Sequence, residues 1–232
     1  MNTTATSQPV AGRETLTRYL LSCGVVAGPL FIGASLLQAL ARDGFSLTRH
    51  AISLLLLGDP GWIQFANFAV TGLLAVAAAV GAWRLPRTTK GGTWGPLLIG
   101  AYGVLLIVAG CFKPDPAFGF PPGAPPGATA TISASAGLHS VAFLGLVLSV
   151  IAGCFVYARR FRARRLPAWA RYCAATGLGT PILLVVGMGL SAGGRGGLPL
   201  LGVAVATSAW ITAVAVRLRA ESRTHRSMKH AA

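Results

Sequence analysis

The chain has 232 residues, of which 53% are hydrophobic and only 11% charged, with a mean hydropathy of +0.64. Those proportions exclude a soluble domain of this length and point to an integral membrane protein. The net charge of +15 is not the footprint of a nucleic-acid partner, because the 20 Lys and Arg residues sit in short blocks beside long apolar segments, where they set topology and meet anionic lipid headgroups.

Crossing a hydrocarbon core of about 30 Å takes about 20 helical residues. The first stretch that qualifies runs from Tyr19 to Leu40, after a polar tail at 1–18 whose first twelve residues read as unstructured. Arg13, Arg18 and the sequence Ala39-Leu40-Ala41 imitate a signal peptide. Such a peptide has an apolar core of roughly 7 to 15 residues, so this longer run is read as a retained helix. The connection from Ala41 to Gly61 follows, and it contains "SLTRHAISLLLLGDPGW". Ser46 or Thr48 can cap a helix start, Gly58 suits the position after its end and Pro60 stops it. The expectation is a helix of roughly ten residues, too short to span, that is interfacial or re-entrant.

The second span runs from Trp62 to Trp83 and the third from Trp94 to Phe112, followed by a proline-rich connection from Lys113 to Ser135 that can form no long helix or strand. Such a loop serves as a lid or as a slack connection. The fourth, fifth and sixth spans run from Ala136 to Tyr157, Tyr172 to Leu190 and Leu198 to Val216. Between the fourth and fifth lies "ARRFRARRLPAWAR", read as a topology determinant on anionic headgroups, and residues 218–232 form a basic, solvated tail. Backbone groups in lipid must be paired internally, so every span is a helix. The expected fold is all-α, an integral membrane six-helix bundle that is one domain over residues 19–217.

Dense small residues in "CGVVAGPLFIGAS" and "TGLGTPILLVVGMG" suit close helix packing, and Pro29 and Pro181 are expected to kink their helices. Cys23, Cys111, Cys154 and Cys173 have no C-x-x-C spacing and read as small apolar helix residues. Of the 20 Lys and Arg residues, 16 fall on the side of the termini and 4 on the other, Arg42, Arg49, Lys113 and Arg195. Both termini are therefore expected in the cytoplasm of a cell-membrane protein.

The candidate site lies on the outer side. On a helix with 100° between residues, Arg49, Ser53 and His50 share one face of an otherwise Ile- and Leu-rich segment. A polar wedge there needs partners. Those on offer are Asp59, Asp115 and His139, the last about one turn inside the fourth span. Arg49, His50, Ser53, Asp115 and His139 are expected to converge at the outer mouth of the bundle. Arg49, with Asp59 nearby, would bind a phosphate or carboxylate headgroup. His50 and His139 would act as acid and base with Asp115 orienting one of them, and Ser53 would be the nucleophile. Alternatively the two histidines and Asp115 would hold a divalent metal, although no metal-ligand spacing supports this. The structural alternative makes Arg49 and Asp115 an ion pair and lets the histidines satisfy backbone carbonyls. No cofactor follows from the sequence.

These residues resemble the bacterial and archaeal membrane family known as domain of unknown function 998. The likeness rests on the S-x-x-R-H-x-I-S-x-L pattern at Ser46, Arg49, His50, Ile52, Ser53 and Leu55, on Asp115-Pro116 and on Leu138-His139, and it covers about Leu20 to Arg217. The chain departs from the pattern in "SLLLLG", which is more apolar after Ser53 than usual, and in the length of its proline-rich loop. The resemblance implies about six spans and strengthens the weight of the outer polar set, and it brings no reaction; the leading expectation is an inner-membrane protein. The expected function is an outer-face pocket that binds, modifies or moves a lipid or other anionic envelope headgroup. The alternatives are a non-catalytic scaffold or regulator and a small transporter, the last opposed by the scarcity of ionisable residues at mid-depth.

Overall fold

A computed structural model describes residues 8–86 and 92–230, with side chains described from 12 to 222 within those limits. Six helices carry the chain: α1 (Gln8–Ala41), α2 (Gly61–Trp83), α3 (Trp94–Cys111), α4 (Ala134–Ala163), α5 (Pro167–Ser191) and α6 (Gly197–His230). All six are long and apolar enough to cross a membrane, and among the described residues the only pairing of strand type is an isolated bridge between Ala117 and Phe120. The protein is an all-helical, multi-pass membrane protein. Arg87 and Lys90, two of the residues that orient the chain, lie outside the described residues, as do 1–7 of the N-terminal tail.

Each helix packs on its neighbours in the chain, and α6 returns against α1, so the six close into a ring. Small residues make the contacts close. Gly72 of α2 and Gly103 of α3 face each other so tightly that a Cβ on Gly103 would lie 2.6 Å from the Gly72 carbonyl oxygen. In lipid, where no hydrophobic force separates helix from solvent, such backbone approach is a main source of cohesion.

Three helices outrun their apolar segments. α1 begins at Gln8, eleven residues before Tyr19. α4 continues past Tyr157 to Ala163, with Arg160 and Arg162 in its last turn, where positive charge complements the helix dipole. α6 continues to His230, so the segment expected as a solvated tail is helical in backbone. Its Glu221 is buried and accepts from Arg160 Nη2 at 3.0 Å and Arg164 Nη1 at 2.6 Å, with Arg217 Nε at 3.9 Å. The basic segment after the fourth span is therefore partly an internal strut, because a buried guanidinium needs a carboxylate more than it needs headgroups.

The connections 42–60, 112–133 and 192–196 meet at the opposite end. The Gly197 N–H donates to the Thr48 carbonyl (3.2 Å), and Gly194 lies beside the Phe118 ring. This is the end that carries the candidate site.

Candidate functional site

The first connection does not form the ten-residue α-helix expected of it. A turn at Ser46–Arg49 is followed by extended Ala51 and a five-residue 3-10 helix at Ile52–Leu56. The reason is local. The His50 ring folds back so that its Nδ1 accepts the Ser46 backbone N–H at 2.9 Å, fixing a turn that a continuing α-helix would not allow. Ile52, Leu54, Leu55 and Leu56 are buried, so the segment is tucked against the bundle. Arg42 closes its far end, donating through Nη1 to the Leu55 carbonyl (3.2 Å) and through Nη2 to the Leu57 carbonyl (2.5 Å). Gly58 then turns the chain at φ +72°, as its residue type requires.

The proline-rich connection is packed against this segment. Phe120 is fully buried in an aromatic cluster with Phe45 and His50, and Arg42 lies over its ring at 5.2 Å. The His50 Nε2–H donates to the Phe118 carbonyl at 3.1 Å. With Nδ1 an acceptor and Nε2 a donor, both nitrogens are committed and the ring is neutral. Burial holds its pKa below the usual histidine value, the Phe118 bond opposes that shift, and the neighbouring charge of Arg49 adds to it. His50 is the pin that joins two loops.

Beneath the loops lies a cavity of about 340 Å³ to which all six helices contribute. Its deep wall is apolar, including Phe31, Phe68, Leu106, Phe143, Leu146 and Val203, with Tyr102 and Thr207 as polar points. Its rim carries Arg49, Ser53, Asp115, Thr129, His139 and Ser140. Four of the expected residues thus share one cavity. His50 and exposed Asp59 are not among its lining. The helical face expected to unite Arg49, Ser53 and His50 fails because the backbone there is not α-helical.

Asp115 and His139 are each held by a neighbouring helix end. Asp115 Oδ2 accepts the Ser133 backbone N–H at 2.9 Å, and Ser133 in turn caps α4 by accepting the Ala136 N–H. Hydrogen bonding from Ser133 keeps the Asp115 carboxyl below its usual pKa. His139 Nδ1 lies 2.8 Å from the Ala109 carbonyl oxygen and 3.0 Å from that of Phe112, the terminal acceptors of α3. An atom between two carbonyl oxygens must carry the proton, so in the neutral ring Nε2 is an open acceptor. Both histidines therefore satisfy backbone carbonyls, as the structural alternative expected. Its other half fails: among the described residues Arg49 and Asp115 form no ion pair, and no hydrogen bond links His50, His139 and Asp115 to one another. Among the described residues no three His, Cys, Asp or Glu side chains gather to hold a metal.

The family model described as "Protein of unknown function (DUF998)" matches residues 25–217, which span most of the chain and every residue of this site. The chain belongs to that family. Searches of curated proteins and of solved structures returned no match. The DUF998 match thus confirms the resemblance carried by Arg49, His50, Asp115 and His139 and leaves their work to be argued from geometry.

One polar constellation in this DUF998 protein escapes the sequence reading. Gln64 is fully buried, donating through Nε2 to Ser35 Oγ (3.0 Å) and the Ile52 carbonyl (3.3 Å) and accepting at Oε1 from Gln38 Nε2 (2.6 Å). Asn67 Nδ2 adds bonds to the Phe31 carbonyl (3.0 Å) and Ser35 Oγ (3.2 Å). The network ties α1, α2 and the 3-10 segment together beside the cavity wall. Its signal is present in the sequence: Gln64, Asn67 and Thr71 are polar at i, i+3 and i+7, one stripe on an apolar span.

Proposed function

We propose that the cavity binds a membrane amphiphile, with the acyl chain against the apolar wall and a phosphate or carboxylate of the headgroup on Arg49. The observation that carries this reading is the pairing of an apolar interior with an arginine at the rim that has no acidic partner among the described residues. The deep wall is apolar apart from Tyr102 and Thr207, which suits a hydrocarbon chain. A volume of about 340 Å³ falls within the range of small-ligand cavities and leaves room for a hydrocarbon chain. The Lys and Arg distribution supports placing this end on the outer face of the cell membrane with both termini in the cytoplasm.

A non-catalytic scaffold is the second reading, favoured by the commitment of both histidines to backbone groups. Native mass spectrometry of the protein released from its own membrane separates the two. Amphiphile binding predicts a retained adduct that is lost from Ala204→Phe, which fills the cavity wall, and weakened from Arg49→Gln. Loss of a charge-assisted hydrogen bond worth about 1.5–3 kcal/mol corresponds to roughly tenfold or more in affinity. The same spectrum from all three proteins would favour the scaffold.

A further inference from the structure

The cavity rim holds more than one kind of charge. Arg49 presents a cation, and no ion pair with it forms among the described residues. Asp115 presents an anion: its carboxylate is oriented by the Ser133 backbone N–H and by the Ser133 side chain, and no cation is paired with it among the described residues. His139 adds a neutral acceptor, because its Nδ1 is bound to the two α3 carbonyls and only Nε2 remains for the cavity it lines. Two opposite charges at one rim that do not neutralise each other leave complementary work for a ligand.

We infer that the headgroup recognised here is zwitterionic, a phosphate joined to a primary ammonium, with the phosphate on Arg49 and the ammonium on Asp115 and His139 Nε2. The inference rests on the amphiphile reading above and specifies its headgroup. Donor counting selects among the common headgroups. An ethanolamine headgroup offers N–H donors to a carboxylate and to an imidazole acceptor, together with an anion for Arg49. A choline headgroup carries the same charges without N–H donors, so it leaves both acceptors unbonded. A glycerol headgroup has hydroxyl donors but no cation, which leaves Asp115 facing a net anion.

The test uses the full chain in mild detergent and three single-chain lysophospholipids that differ only in headgroup: ethanolamine, choline and glycerol. Binding is read by titration. The expected result is that the ethanolamine form binds at least tenfold more tightly than the other two, and that Asp115→Asn erases the preference over choline. Asparagine keeps an oxygen for the Ser133 N–H, so the start of α4 keeps its cap. The ranking on the wild-type protein needs no variant at all. Equal binding of the three forms, or tightest binding of the glycerol form, would overturn the zwitterion while leaving the amphiphile reading intact. Binding of none of them would end the amphiphile reading itself. Free phosphoethanolamine is the remaining arm: failure to displace the bound lipid supports a lipid ligand. Displacement at equal concentration would uphold the zwitterion and overturn the need for a chain.

Discussion

The backbone N–H of Ser46 donates to His50 Nδ1 at 2.9 Å, while the other nitrogen of the same ring donates to Phe118, 68 residues further along the chain. One imidazole therefore holds the first loop in its turn and pins the second loop over the cavity. This is possible only while the ring is neutral, since a proton on Nδ1 would set two donors against each other.

A pH dependence follows. Because the folded-state pKa of His50 lies below its ordinary value of 6.5, the unfolded chain takes up the proton first as pH falls. The stabilisation is therefore complete above about pH 6.5, declines as pH drops toward the folded-state pKa and is lost below it. Arg49 beside the ring adds positive charge that opposes protonation. Protection from hydrogen exchange at residues 42–60, taken relative to the intrinsic rate at each pH, should be high at pH 7.5 and fall by pH 5, and a His50→Gln variant should show no such fall. Unchanged protection across that range in the wild type would refute the pin.

The Gln64 network carries a stability prediction. Gln64→Leu takes a partner from Ser35, Gln38 and the Ile52 carbonyl in the interior, although Ser35 keeps Asn67 and Gln38 keeps the Ala34 carbonyl. Leaving a buried polar group unsatisfied costs about 1–3 kcal/mol, and membrane helices fall toward the lower end because the unfolded helices find other partners. The thermal midpoint in detergent should drop, and amphiphile binding should weaken because Ile52 lines the cavity. A variant as stable as the wild type would show that the network is dispensable.

At the other end, Glu221→Gln removes the only acid that Arg160 and Arg164 touch among the described residues. Arg160 is 3% exposed and would be left as an uncompensated buried cation, at a cost of about 3–5 kcal/mol. Arg217 is at 3.9 Å and is a quarter exposed, so Arg217→Gln should cost under about 1 kcal/mol. Unfolding of the two variants in denaturing detergent measures the contrast, and equal losses would contradict it.

Helix contact gives a further comparison. Gly103→Ala places a methyl 2.6 Å from the Gly72 carbonyl oxygen, and overpacking of this kind costs about 1–3 kcal/mol. Gly137→Ala, in the first turn of α4, has nothing within 4 Å and should be neutral or stabilising by a few tenths of a kcal/mol to about 1 kcal/mol. The same unfolding assay should order them, with Gly103→Ala the less stable.

The sequence by itself determined the six spans, because the lipid interior admits only backbone that satisfies its own hydrogen bonds and the apolar runs have the length to cross it. It also singled out Arg49, Ser53, Asp115 and His139, since polar residues next to apolar spans stand out by type alone. Only the tertiary structure decided what His50 does. Its partners Ser46 and Phe118 are backbone groups, which a sequence displays at every position and therefore marks at none. The same reason hid the 3-10 turn, whose α-helical alternative has the same composition and loses only when the His50 ring occupies the Ser46 N–H. Glu221 shows the opposite case: a lone acid in a basic tail reads as solvated until α4 and α6 bring Arg160 against it. Local patterning fixes which segments enter the membrane, whereas the worth of each polar group depends on partners dozens of residues away.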